Sequence, residues 1–308
     1  MAFLLADAAK LTQDMLVRGV IETLITESAV LRYLPFLTVN GSGVTYNQEL
    51  TLPGATFHGV NGAWTTSEPT LQQQQATLKI LGGDADVDAF LQQTYSNKND
   101  IQALVVQSKA KAVAYSFNTA FFYGDSGVDP NSFDGLATQA GTVQTSVAGI
   151  DATQRAFSNG ANGAVLTLDT MDQMIDTIKP GKPDALFMSK RSRRKLSSLR
   201  RASGNLLETG VDAFGRRAMF YDGIPIEIDE NIPDTETQGT STGVCSSIFA
   251  VKFGYQVGVC GLQNGGISVI NVGNLETKDA VRTRIKWYVG LAVFRPISYV
   301  RLAGVKDS

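Results

Sequence analysis

The sequence has a single histidine, His58, and only two cysteines, Cys245 and Cys260. A serine or cysteine triad would depend on His58, yet that residue sits in a glycine-rich stretch and no GxSxG occurs. His58 therefore reads as an exposed side chain rather than a catalytic base. A zinc centre needs several nitrogen or sulfur ligands, and positions 58, 245 and 260 do not match a ligand spacing. Two cysteines are too few for a disulfide scaffold and fit a reducing compartment, so both are expected to be buried free thiols. Neither GxxxxGK[ST] nor GxGxxG is present, and Gly181-Lys182 is followed by Pro183, which removes a backbone donor that a phosphate loop would need. No apolar run reaches the roughly 20 residues that cross a bilayer. Ala112 to Tyr123 is interrupted by Asn118, and Val289 to Val300 by Arg295 and Pro296. The opening MAFLLADAAK has neither the charged start nor the continuous apolar centre of a signal peptide. Neither export nor membrane anchoring is expected.

What is present is a chain of 308 residues, 43% of them hydrophobic, long enough to bury a substantial core as one large domain or two interleaved ones. The net charge of −2 gives no global attraction to nucleic acid, but its distribution is uneven. Between Ser189 and Arg217 there are nine basic residues (Lys190, Arg191, Arg193, Arg194, Lys195, Arg200, Arg201, Arg216, Arg217) against Glu208 and Asp212, a local +7 that leaves −9 for the remainder. No aromatics interleave with this cluster, so a solvated or subunit-facing helix is favoured over contact with an acidic neighbour, and both over DNA. Asp125, Asp129, Asn131, Asp134 and Gly135 supply oxygen ligands but lack the spacing and terminal glutamate of an EF-hand. Turn chemistry is the expected role.

Periodicity divides the chain. Leu11 to Ser28 reads as an amphipathic helix, with Leu16/Val17, Val20/Ile21 and Leu24/Ile25 on one face, and Arg32 to Val39 runs extended past Pro35. From Gly43 to Leu52 the period becomes two, with Val44, Tyr46, Leu50 and Leu52 on one side. The expected partner strand is Ala76 to Phe90, its phase slipping at Gly82-Gly83 as at a bulge. Pro53 to Gln75 shows no period. A loop of this length tends to be functional, and the arrangement suggests a two-stranded arm reaching from the body. An isolated hairpin is barely stable in water, so a neighbouring subunit is expected to support it. Asn97 can cap a long helix whose stripe is read as Ile101, Leu104, Val105, Ser108, Ala112, Tyr115, Thr119 and Phe122, ending before Gly124. At 1.5 Å per residue it forms a rod of about 35 to 40 Å. Beyond it, Leu168 to Ile178 and Ser189 to Arg201 read as helices. Ala185 to Met188, Gly223 to Asp229, Ser247 to Val251, Ile267 to Val272, Asp279 to Ala292 and Ile297 to Val305 read as strands, with Gly258, Gly261, Gly265 and Gly266 as turn glycines. The fold class is α+β.

This order of elements resembles that of tailed-bacteriophage major capsid proteins of the Hong Kong 97 type: N-terminal arm, E-loop hairpin, peripheral domain with a spine helix, axial domain and return strands. The resemblance spans nearly the whole chain. NKNDIQALVVQSKAKAVAYSFNTAFFYGD (Asn97 to Asp125) is similar to the spine helix and its Gly-Asp turn, and NSFDG (Asn131 to Gly135) to the turn after it. YDGIPIEIDENIP (Tyr221 to Pro233) and Arg282 to Pro296 are similar to the family's later strands. The resemblance implies an arm over 1–40, a hairpin and its base over 41–92, peripheral-domain segments over 93–136 and 263–292, an axial domain over 137–262 and a return to it over 293–308.

It further implies a virion subunit, assembled in the host bacterial cytoplasm into hexamers and pentamers of an icosahedral shell. That shell would enclose double-stranded DNA held by weak nonspecific contact, with a portal and a possible separate scaffolding protein as partners. No enzyme activity, cofactor, metal or membrane is implied. Because the chain begins almost at the arm, no fused scaffold domain is expected. Intersubunit contact is assigned to Leu16, Val20, Leu24, Tyr46, Trp64, Glu68, Lys79, Arg191, Arg194 and Arg201. Some members crosslink an E-loop lysine to a neighbour's asparagine; the hairpin tip here has no lysine and Lys79 lies well down the return strand, so no covalent chain-mail is expected. The alternatives are an encapsulin, a nanocompartment shell of the same fold that packages enzymes, and a cytoplasmic hydrolase of unrecognised type.

Overall fold

Ala185–Met188 forms a strand buried at every position because it is a wall shared by two cores. Successive side chains of a strand point to opposite faces. Ala185 and Phe187 accordingly enter one apolar cluster, and Leu186 and Met188 the other. The adjacent strand Ser241–Val251 divides in the same way, with Phe249 and Val251 on one side and Ile248 and Ala250 on the other. The computed structural model describes residues 3–4, 20, 23–24, 28–51, 53–64, 66–95, 101–142, 156–204, 208–211, 215 and 217–307.

The wall belongs to a nine-stranded sheet ordered Ala156–Ser158, Tyr299–Lys306, Ser241–Val251, Ala185–Met188, Ile224–Ile228, Arg217–Tyr221 and Glu208–Val211, with Glu236–Gln238 and Ala164–Val165 pairing at its side. One face is covered by helices Leu168–Asp176 and Lys190–Ala202, which contribute Met171, Met174, Ile175 and Leu196 to the second core. A five-stranded sheet, ordered Phe3–Leu4, Pro35–Thr38, Val259–Asn274, Ala280–Val293 and Lys79–Asp88, lies beside the helix Ile101–Tyr123. Between them Phe117 packs on Trp287 at 5.1 Å and on Phe36 at 6.4 Å, while Phe122 reaches Phe249 of the larger sheet at 5.0 Å. The long helix therefore joins the two sheets through one aromatic core. The α+β class stands.

Several local expectations change. The long helix buries Val106, Ala110, Val113, Ala114, Phe117, Asn118, Phe121 and Phe122; of the expected stripe Phe122 is buried and Val105 packs against the core. Leu104 is 65% and Tyr115 42% exposed, and Ser108, Ala112 and Thr119 also face outward. Apolar residues occur all round this helix, so spacing alone did not fix the buried face. Asn97 lies outside the described residues, as does most of Leu11 to Ser28. Ser28 caps a short helix, Ala29–Tyr33, accepting from the Leu31 amide at 3.1 Å. The chain leaves this helix at Leu34 and runs extended from Pro35, as expected.

The hairpin strands are Gly43–Thr51 and Thr70–Thr77, so the glutamine run belongs to a strand. The return strand divides at Leu78, and Lys79–Asp88 pairs instead with Ala280–Val293 in unbroken register. No bulge occurs at Gly82-Gly83. A Cβ on Gly82 would lie 2.2 Å from the Ile285 carbonyl oxygen and one on Gly83 2.3 Å from Lys109 Cε, so these glycines admit close neighbours. The bulge lies at Gly265-Gly266, inside Val259–Asn274, where φ values of 72° and 73° accompany a register shift. Both cysteines are free and buried, and burial pushes the Cys260 thiol up to about 12.

Candidate intersubunit surfaces

The hairpin is anchored at its base and bare at its tip. Tyr46 packs its ring 4.9 Å from that of Phe294, and Gln48, only 6% exposed, donates from Nε2 to the Val293 carbonyl at 2.7 Å. Val39, Ala76, Leu262 and Ala292 complete a small apolar cluster beneath them. Lys79 Nζ donates to the Pro130 carbonyl at 2.6 Å. Tyr46 and Lys79, both assigned to intersubunit contact, are therefore engaged by their own subunit.

Nine residues of strand carry the chain about 30 Å outward. Ser67 Oγ then donates to the Gly54 carbonyl at 2.9 Å, and the His58 and Trp64 rings lie 4.4 Å apart with His58 Nε2 3.2 Å from Thr56 Oγ1. Phe57, Val60 and Trp64 show 108%, 100% and 82% exposure. A concentration of apolar side chains in water marks an interaction surface. Glu68 beside them is exposed too.

Two other expected contact regions are occupied within the subunit. Val20 and Leu24 are 3% and 0% exposed and lie in the main core, so neither is offered to a neighbour as an apolar arm would require. Leu16 lies outside the described residues. The basic helix begins where Ser189 accepts from the Ser192 amide and donates to Asp234 Oδ1 at 2.6 Å. Among the described residues, three of its seven charges are in ion pairs: Lys190 pairs with Glu230, Arg191 with Asp234 at 3.4 Å and Arg194 with Asp307 at 2.9 Å. Arg200 lies over the Tyr221 ring at 5.5 Å. Arg201 is exposed and has no ion pair among the described residues. The acidic turn after the long helix is structural. The carboxylates of Asp125, Asp129 and Asp134 accept from the amides of Gly127, Asn131 and Ser126. Among the described residues no group of three His, Cys, Asp or Glu side chains could hold a metal ion.

Buried polar links were not legible in the sequence. Asn118, 1% exposed on the long helix, accepts from Ser28 Oγ at 2.5 Å and donates to Asp229 Oδ2 at 3.1 Å. Burial raises the Asp229 carboxyl above its ordinary value despite the donors of Asn231. Tyr123 OH donates to Glu236, which also accepts from Ser247 Oγ at 2.5 Å and Arg301 Nη2 at 3.3 Å. Burial, then Glu236, pushes the Tyr123 hydroxyl upward.

On the outer face of the smaller sheet, Arg282 and Arg284 stand opposite Asp86 and Asp84 and bind them through Nε at 2.6 Å in both cases. Hydrogen bonds from Arg284 and Arg282 hold the Asp84 and Asp86 carboxyls below their ordinary values. A lowered folded-state value gives stability that is present above the unfolded pKa, near 4, and lost as pH falls through the folded one. The pairs are exposed, so the effect is small. The D84N/D86N variant should melt slightly below the native chain at pH 7, and the gap should close by about pH 2 to 3; an equal gap at both pH values would exclude this linkage.

A model of the phage capsid family matches residues 9–303. No curated protein matches the sequence. Among solved structures, the holo-SrpI encapsulin complex of Synechococcus elongatus is similar, with a TM-score of 0.66 at 16% identity over 91% of this chain and 88% of that one. The capsid of an empty GTA particle gives 0.64 at 16% identity, over 91% and 90%. Mycobacterium phage Bobi gives 0.64 at 15%, over 91% of both chains. At such identities the structural likeness shows the fold, that of Hong Kong 97-type shells. Among the described residues, no helix is long and apolar enough to cross a membrane.

Proposed function

The chain belongs to the phage capsid family, and we propose that it assembles as hexamers and pentamers into an icosahedral head shell enclosing double-stranded DNA. It is a structural shell protein, not an enzyme. The observation that carries the reading is the hairpin: its base is fixed to its own body by Tyr46, Gln48 and Lys79, and its tip holds Phe57, Val60 and Trp64 in water. Such a tip is stabilised when a second copy covers it. Trp64, Glu68 and Arg201 remain the contact residues offered outward; Arg194 is 66% exposed while bound to Asp307. The arm, hairpin, peripheral and axial divisions follow the boundaries given above, and a portal completes the partner set, with either a separate scaffold or none. Assembly takes place in the host cytoplasm.

Electron microscopy of the expressed chain tests the reading directly. Closed shells or capsomers are expected, and a discrete monomer at high concentration would overturn it. A second reading, an encapsulin, is favoured by the similarity to the Synechococcus encapsulin. Nuclease-protected DNA in particles from infected cells supports the phage reading, whereas a bound cargo enzyme supports the other. Residues 53 to 69 contain no lysine, so the shell closes without covalent crosslinks. Purified particles boiled in denaturant should run as a single band of 33.0 kDa; a ladder of multiples would refute this.

A further inference from the structure

Three arginines distant in sequence converge on one cavity of about 270 Å3. Arg32 comes from the short helix Ala29–Tyr33, Arg193 from the basic helix and Arg217 from the strand Arg217–Tyr221. Glu227 shares the lining, with Met219 and Ile226 as apolar wall. Among the described residues only Arg32 of the three has a carboxylate partner: its Nη1 lies 3.2 Å from Glu227 Oε2, and Glu227 also accepts from Tyr33 OH at 2.8 Å. The Nε atoms of Arg32 and Arg193 are buried and have no acceptor among the described residues. Neither Arg193 nor Arg217 has an ion pair among the described residues. Three guanidiniums against one carboxylate on a single cavity leave an excess of positive charge that the described residues do not match, and this points to an anion from outside the chain.

We propose that this cavity binds a phosphoryl group. Three guanidiniums and one carboxylate leave a formal +2, which a phosphate dianion balances and a single neighbouring carboxylate does not. Guanidinium forks match the oxygens of a phosphoryl group in paired hydrogen bonds. The recess suits one such group rather than the extended face of a duplex. The group comes either from free phosphate or from the backbone of a single-stranded nucleic acid. The site is built within one subunit and does not depend on the shell reading.

The test is calorimetric titration of the full chain with inorganic phosphate at constant ionic strength, followed by competition with a short single-stranded oligonucleotide. One phosphate per subunit is expected. Arg193→Gln and Arg217→Gln should each weaken binding at least tenfold, while Lys190→Gln, on the same basic helix but outside the cavity lining, should leave it unchanged. Competition by the oligonucleotide identifies a nucleic-acid source and its absence a free anion; both support the site. No phosphate binding by the folded native chain overturns the proposal, as does equal binding by the Arg193→Gln/Arg217→Gln variant. Loss of shell formation in that variant without phosphate binding by the native chain would instead indicate a carboxylate of a second copy. Arg193→Lys retains the charge and covers the case in which the glutamine variant does not melt cooperatively.

Discussion

Replacing Phe57 and Trp64 together with serine is expected to abolish closed shells while leaving the melting temperature of the free subunit within about 2 °C of the native value, since surface changes usually fall within about 0.5 kcal/mol. Both side chains are almost entirely in water within the subunit, so the fold gains little from them. If a second copy covers them, each contributes roughly 1.5 to 3 kcal/mol of apolar burial. Losing both weakens a single contact by about 3 to 6 kcal/mol, or roughly two to four orders of magnitude. A shell repeats that contact at every subunit, so the defect compounds around a ring. Sedimentation and electron microscopy of the variant check the result. Normal shells from the doubly substituted chain would show that the tip is not the contact, and a large fall in subunit melting temperature would show that it serves the monomer.

The legibility of the fold followed from how strongly local pattern constrains each element. Val44 and Tyr46 alternate with Thr45 and Asn47, so the outgoing hairpin strand was visible. The return strand was seen too late because Gln72 to Gln75 offers no polar contrast between faces, although Gln72 and Gln74 are half-buried and Gln73 and Gln75 exposed. The long helix was legible in extent, ending at Tyr123, but not in orientation, because Leu104 and Tyr115 are as apolar as the residues it buries. Gly82 and Gly83 look locally like a bulge because their role is the close approach of Ile285 and Lys109, about 200 residues ahead and 26 ahead respectively in the chain. The basic helix reads as solvated or subunit-facing for the same reason. Its acids Glu230 and Asp307 lie 40 and 113 residues from Lys190 and Arg194, beyond any local pattern. The tip is legible in the sequence as an aperiodic stretch holding Trp64, whereas nothing local marks Phe57 and Val60 as standing in water beside it.

Phe187→Ala should produce the largest loss of subunit stability, about 3 to 5 kcal/mol, as expected for a buried aromatic truncated in a packed core. The ring is 0% exposed and meets Tyr33 at 6.3 Å, Phe122 at 5.7 Å and Phe253 at 6.1 Å. It therefore touches the segment leading into the smaller sheet, the long helix and the connection from Ser241–Val251 to Val259–Asn274 at one point. Collapse to fill the space is restricted because the strand backbone is held on both sides, by Ile224–Ile228 in parallel and Ser241–Val251 antiparallel. Domains are commonly stable by only about 5 to 15 kcal/mol, so the loss takes a large share, and the melting temperature should fall by roughly 6 to 12 °C. Leu186→Ala, one residue earlier but facing the other core, should cost about 2 to 5 kcal/mol without disturbing those aromatic contacts. Near-ultraviolet circular dichroism distinguishes the two: the aromatic signal should change strongly in Phe187→Ala and little in Leu186→Ala at temperatures where both remain folded. Equal changes would mean that the sheet does not separate the cores, and a melting shift under about 2 °C for Phe187→Ala would mean that the long helix is held to the larger sheet by its polar links through Asn118 and Tyr123 instead.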